Sequence, residues 1–254
     1  MYPIIGDPIK YVETPARLTR TFEGRGHDGI CVPLQVPEHA LSTTMAALTA
    51  VGNVDGILVT MPHKRAAIEY CDTVSSRAET LGVVSVMRRR PHGGWHGDML
   101  DGVSFVAAQQ RNGARIEGAR ALLLGAGGAG SAIAMALLGA GVSRLVIHDA
   151  DESRAEALLS VLSDDRATVG TPDPSGCDLV LNATPMGMNA DDPIPVVPTL
   201  LTPAQFVGDV IAGHGVTRLI SAAQDAGCAT ASGGDMVEAG LDLMADFFLS
   251  PGLG

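Results

Sequence analysis

The sequence predicts an α/β fold in two parts: an N-terminal α/β domain with a mainly parallel sheet, then a doubly wound, Rossmann-type domain. Three observations predict it. Short apolar runs alternate with helical runs along nearly the whole chain, the β-then-α order of parallel sheets. A glycine loop, "GAGGAGSA" at 125–132, sits between the apolar run "ARALLL" and the helical run "IAMALLGAG". The chain has 254 residues, 46% of them hydrophobic, enough for one large core or two modest ones.

Each element has a local reason. "YPIIGDP" reads as a strand ending in a turn, and "PARLTRTFEGRG" as a helix closed by glycine. "GICVPLQV" is a strand. "PEHALSTTMAALTAVG" is a helix with Pro37 at its start. "VDGILVTMP" is a further strand, and "HKRAAIEYCDTV" and "SSRAETLG" read as helical. "VVSVMRRRPHGGWHGDML" reads as a hairpin with "PHGG" as its turn. From "GVSFVAAQQRNG", a helix, the βαβ rhythm repeats through "RALLLGAG", "RLVIHDAD" and "CDLVLNATP" as strands, with "SRAEALLSVLS" as a helix. The end, "DMVEAGLDLMADFFLS", is an amphipathic helix. The predicted domains are 1–101, completed by C-terminal helices in 235–254, and 102–234.

Composition excludes several classes. Net charge is −11 and the pI about 4.9, so the surface repels phosphate backbones and no nucleic-acid partner is expected. Cys31, Cys71, Cys177 and Cys228 are scattered, with no metal-ligand spacing, and read as reduced thiols. No metal site is expected. The start "MYPIIGDPIK" lacks the basic and apolar regions of a signal peptide, and no apolar run reaches membrane-spanning length. The expected compartment is the cytoplasm, with no membrane partner.

The glycine loop carries the first chemical signal. Gly125, Gly127 and Gly130 match G-x-G-x-x-G, with Ala126, Gly128 and Ala129 between them. The first glycine permits the sharp turn, the second the close approach of a pyrophosphate, and the third close helix–strand packing. The helix N-terminus adds free N–H groups. Asp149 ends the next strand, where a carboxylate accepts hydrogen bonds from ribose hydroxyls and repels a 2′-phosphate. Asp149, Ala150 and Asp151 carry no cation, although Arg154 is one helical turn on. The expectation from these residues is NAD, preferred over NADP.

The order of marks resembles the shikimate/quinate dehydrogenase family along nearly the whole chain: "GDPI" at 6–9, "VTMPHK" at 59–64, "GDMLDG" at 97–102, "GAGGAG" at 125–130, "NATPMGM" at 182–188 and "GGDM" at 233–236. The resemblance implies a substrate domain, a dinucleotide domain and an active cleft between them. It implies Lys64 and Asp101 as the catalytic pair. Alcohol oxidation needs a base for the hydroxyl proton, and a lysine can take it. The family's N-R-T/S clamp for the 2′-phosphate aligns with Asp149, Ala150 and Asp151, a second argument for NAD. Asn182, Ala183 and Thr184 match the loop along the cofactor, Gly233 matches a backbone contact near the nicotinamide, and Val210 is a further expected cofactor contact.

The substrate positions depart from the family. Its S-x-S becomes Val12 and Thr14, its ring-binding asparagine Ser85, its tyrosine Ala212 and its last glutamine Gly240, while Thr60 is retained. Losing donors to a buried charge costs on the order of 1.5–3 kcal/mol each, so the pocket is expected to be larger and less polar. Tyr11, His63, His214 and Glu238 are candidate replacement contacts, with packing or surface roles the simpler reading. The expected activity is reversible hydride transfer between the nicotinamide and a cyclic hydroxy acid (shikimate, quinate or a less polar relative). The alternatives are a non-catalytic NAD-binding sensor or a folate-type methylene dehydrogenase. The expected assembly is a monomer or homodimer.

Overall fold

The structure is a computed structural model that describes residues 1–10, 12–189 and 191–250. The chain divides into two compact units. One is Met1–Leu100 with the residues from Leu241 onward, and the other is Asp101–Gly240.

The first unit holds β1 (Tyr2–Gly6), α1 (Thr14–Gly24), β2 (Cys31–Gln35), α2 (Leu41–Ala50), β3 (Gly56–Val59), β4 (Thr73–Val74), α3 (Ser76–Leu81), β5 (Val86–Arg89) and β6 (Trp95–Asp98). Its sheet has the order β2-β1-β3-β5-β6-β4. β1 pairs parallel with β2 and β3, β4 parallel with β6, and β5 antiparallel with β3 and β6. The fully buried β1 and β3 read as unbroken apolar runs because both faces are covered. One core is aromatic: the Tyr2 ring lies 4.5 Å from Phe22 and 4.9 Å from Phe248, centroid to centroid. A Cβ on Gly56 would overlap the Phe248 ring, so glycine there makes room for it.

One predicted helix is replaced. "HKRAAIEYCDTV" forms turns, a 3-10 turn at Ala66–Tyr70, then the short strand β4. The β-branched pair Thr73–Val74 finds a partner in His96 and Gly97 of β6, and that pairing overrides the helical pattern.

The second unit holds α4 (Asp101–Arg111), β7 (Arg120–Leu124), α5 (Gly128–Gly139), β8 (Arg144–His148), α6 (Glu152–Leu162), β9 (Ala167–Val169), β10 (Leu179–Asn182), β11 (Phe206–Asp209), α7 (Arg218–Asp225) and β12 (Ala229–Ala231). Helix α8 (Gly233–Leu249) starts here, and the division between units falls within it. Among the described residues this one helix covers the end of the chain that the sequence reads as amphipathic. The sheet order is β12-β11-β10-β7-β8-β9, and every pairing is parallel. Period-two alternation feeds two cores: Ala121 and Leu123 of β7 face one cluster, Leu122 and Leu124 the other. The crossing of α4 and α5 needs Gly102, where a Cβ would overlap the Ala132 carbonyl. Among the described residues no helix is long and apolar enough to cross a membrane.

Candidate functional site

The order of the second sheet turns back on itself at β7, which has β10 on one side and β8 on the other. A crevice opens outside the carboxyl ends at such a switch point, and open α/β sheets bind ligands there. A cavity of about 430 Å³ occupies it. Leu124, Gly125 and Gly127 line it from the end of β7, His148, Asp149 and Ala150 from the end of β8, and Ala183, Thr184, Pro185 and Met186 from the end of β10. Arg154 closes the β8 side, and Ile194 and Pro195 also line it.

The glycine loop fits a dinucleotide phosphate. Gly125 has φ +99°, which glycine tolerates and side-chain-bearing residues resist. Behind it, a Cβ on Gly130 would overlap the Gly125 carbonyl, so helix and turn pack backbone to backbone. Gly127 and Gly128 face the opposite situation: nothing lies within 4 Å of an added Cβ, and both are exposed. The N-cap Gly127 makes no side-chain cap, so the first N–H groups of α5 are left for an anion. Ala126 is buried and Ala129 half-buried in the first turn.

Asp149 braces this loop. One carboxylate oxygen accepts the Ala126 N–H at 2.8 Å and the other the Asp151 N–H at 3.0 Å. Burial pushes its pKa up, but these two amides, with Arg154 and His148, outweigh burial and hold it below the usual value. Arg154 is exposed and lies 3.5 Å from Asp151. The β10 wall is built by Asn182, which is fully buried and accepts the Thr184 N–H at 3.0 Å and the Thr184 hydroxyl at 2.6 Å. Val210 and Gly233 come together, since a Cβ on Gly233 would press on the carbonyls of Val210 and Ile211.

In the first unit, Lys64 sits half-buried in the turn after β3. Its backbone is pinned: its carbonyl accepts the Val84 N–H at 2.9 Å, and the preceding Thr60 N–H donates to Ile5 at 3.0 Å. His63 is buried and its Nε2 donates to the Val36 carbonyl at 2.6 Å, a packing role. Ser85 is buried and its hydroxyl accepts the Leu100 N–H at 2.8 Å. Asp98, which sequence reasoning missed, accepts the Met99 N–H and Arg77 Nε, each at 2.7 Å, and the Ser75 hydroxyl. Together Ser85 and Asp98 hold the backbone that leads into Asp101, the first residue of α4. Val12 and Thr14 lie half-buried at the start of α1. Tyr11 lies outside the described residues. In the second unit, Ala212 is half-buried in the loop after β11, and Gly240 is buried in α8. His214 and Glu238 are exposed.

Known proteins match this arrangement. The model of the shikimate dehydrogenase substrate binding domain matches residues 4–87, and that of the ThiF family residues 103–156. The shikimate dehydrogenase (NADP(+)) of Rubrobacter xylanophilus is 34% identical over 238 residues, covering 91% of this chain and 84% of the relative. This chain belongs to the shikimate dehydrogenase family. A second member, the shikimate dehydrogenase (NADP(+)) of Rhodospirillum rubrum, is 33% identical with the same coverage. Among solved structures, quinate dehydrogenase from Corynebacterium glutamicum in complex with NAD is 27% identical with a TM-score of 0.88, covering 98% of this chain and 93% of that one. The 5-ketofructose reductase of Gluconobacter sp. strain CHM43 is 27% identical with a TM-score of 0.89, covering 100% and 94%. The chain is therefore an alcohol-type oxidoreductase of the shikimate/quinate dehydrogenase family, with a substrate domain and a Rossmann domain. Neither a sensor module nor a methylene dehydrogenase finds support among these relatives.

The expected preference for NAD is overturned. The similar curated members of the family are NADP(+) enzymes. The local geometry gives a reason why the carboxylate misled. Both Asp149 oxygens already serve loop amides, and Arg154 lines the same cavity. Sequence reasoning did not name Leu124, His148, Pro185, Met186, Ile194 or Pro195 as site residues. His148 beside Asp149, Leu124 beside Gly125, and Pro185 and Met186 within "NATPMGM" carried a positional signal, whereas Ile194 and Pro195 carried none.

Proposed function

We propose that this chain transfers a hydride reversibly between NADP(H) and the secondary alcohol or ketone of a cyclic hydroxy acid, of the shikimate or quinate kind or a less polar relative. The observation that carries the reading is the open glycine-loop cavity at the sheet's switch point, in a chain of this family that keeps Lys64 and Asp101. Gly125–Gly130, Asn182–Thr184, Val210 and Gly233 hold the dinucleotide, with Asp149 bracing the loop and Arg154 facing the 2′-phosphate. The bound dinucleotide supplies or accepts the hydride. Lys64 Nζ takes the hydroxyl proton in oxidation and returns it to the carbonyl oxygen in reduction. Asp101 accepts a hydrogen bond from the substrate and orients it. Thr14, Thr60 and Ser85 are the polar substrate positions. Val12, Ala212 and Gly240 are the enlarged, apolar ones. Four free cysteines support a reducing compartment, the cytoplasm. The assembly is a monomer or homodimer, decided by sedimentation.

The test is steady-state turnover with NADP and NAD against shikimate, quinate and a neutral ketose, read as reduced nicotinamide. The expected result is NADP-linked turnover of at least one cyclic hydroxy acid, with Lys64→Ala lowering kcat about 10²–10⁴-fold at unchanged dinucleotide affinity. Tight dinucleotide binding with no turnover across the panel, or full activity in Lys64→Ala, defeats the reading.

A further inference from the structure

Asp209, the last residue of β11, is wholly buried, and the chemistry above makes no use of it. Its Oδ1 accepts Asn182 Nδ2–H at 3.0 Å and the Ile211 N–H at 3.1 Å. Its Oδ2 accepts the Thr217 hydroxyl at 2.6 Å. These partners are neutral donors, and burial raises its pKa against their pull. Among the described residues no cation pairs with it, and such a buried carboxylate is a costly way to fill a core, where an apolar side chain of similar volume serves better. What the carboxylate adds is direction, because it draws two separate loops to one point.

One loop is the cavity wall. Asn182, held by Asp209, spends its own oxygen on both Thr184 donors and its second amide hydrogen on the Met186 carbonyl, at 3.3 Å. Thr184 Oγ1 in turn accepts the Met186 N–H at 3.1 Å. Ala183 through Met186, which line the cavity, thus hang from the Asp209 carboxylate through one side chain. The other loop, 210–217, starts at the Ile211 amide and ends at Thr217, which caps α7. Gly187 brings the two loops into contact: a Cβ there would meet Ile211 Cδ1 at 3.2 Å and Thr217 Cβ at 3.5 Å.

We infer that Asp209 is a positioning residue that sets the dinucleotide pocket by locking the 183–187 wall to the 210–217 loop. The inference rests on the function proposed above, in that it needs the cavity to hold a dinucleotide.

The experiment is a double-mutant cycle read by NADPH fluorescence titration, with Asp209→Asn, Thr184→Val and both together. Asp209→Asn is expected to raise the NADPH Kd about tenfold, Thr184→Val similarly, and the double variant no further than the worse single one, as for residues acting through one chain of bonds. In turnover, KM for the dinucleotide follows Kd while kcat stays within about a factor of two, the pattern of lost uniform binding. Gln205→Leu is the stability control. It removes buried bonds to Thr202, Pro174 and Cys177 away from the cavity, so it lowers Tm and leaves Kd alone. If Asp209→Asn does not fold, Thr217→Val replaces it in the cycle with the same expected coupling. Wild-type affinity in Asp209→Asn or Thr217→Val, or additive effects in the cycle, overturns the inference. Failure of the wild-type protein to bind either NADPH or NADH instead overturns the proposed function, and this inference with it.

Discussion

Two glycines three positions apart show how single positions decide the site: Gly130 has no room for a methyl group and Gly127 has nothing but room. Gly130→Ala is expected to lose about 3 kcal/mol of stability to overpacking against the Gly125 carbonyl, measured by urea unfolding. Gly127→Ala is expected to keep wild-type stability and still weaken NADPH binding about tenfold, because its methyl group takes the ligand's space. The same scale governs substrate choice. Val12→Ser restores one hydroxyl of the family's S-x-S, which the resemblance assigns to the substrate carboxylate, so KM for a carboxylated substrate should fall about tenfold, the worth of one hydrogen bond to a charge. A rise in KM, or no change, would place Val12 away from that group. Residue identities at these positions were legible because spacing carries them. The uses of Asp98 and Asp209 were not, since each depends on a partner, Arg77 and Asn182, that lies 21 and 27 positions away in sequence and that only folding brings close.

Strand β5 shows what an element does that its letters hide. In the fold, Arg89 donates to the carbonyls of Leu48, Thr49, Val51 and Val54 at the end of α2, and its guanidinium lies 4.6 Å from the Trp95 ring centroid. Its neighbour Arg88 donates to Phe247 and Ser250 at the end of α8. Adjacent residues on a strand point to opposite faces, so one strand caps two helices on the two sides of its sheet. Arg89→Ala is expected to cost about 2 kcal/mol and to lower Tm, while Arg90→Ala, for which no such caps exist among the described residues, leaves Tm close to wild type. Helix and strand periods were readable wherever local pattern and pairing agree. They failed at Thr73–Val74, where pairing with β6 won over a helical pattern.

At the scale of the whole molecule, acid stability follows from its carboxylates. The Arg166 guanidinium holds Asp164 down at about 2, and Arg120 and backbone amides hold Asp178 and Asp192 low. Each binds a proton less readily folded than unfolded, so its stabilisation is present above the ordinary carboxylate value and is lost as pH falls through the folded one. Asp209 runs the other way, since burial raises its pKa and its contribution is lost as pH rises through that value. The lowered groups are the more numerous, so Tm should drop between pH of about 4 and 2, and Asp164→Asn should flatten part of that drop. A drop of equal size in the variant would mean that other carboxylates carry it. The sequence by itself determined the α/β class, the strand–glycine loop–helix unit and the membership in an oxidoreductase family, because these rest on local periodicity, turn chemistry and ordered motifs. Only the tertiary structure decided that β10 lies beside β7 and so supplies a cavity wall, that Asp149 is spent on loop amides, and that Asp209 joins two loops. Parallel pairing is set by long-range burial, and a hydrogen bond belongs to whichever group the fold brings within reach.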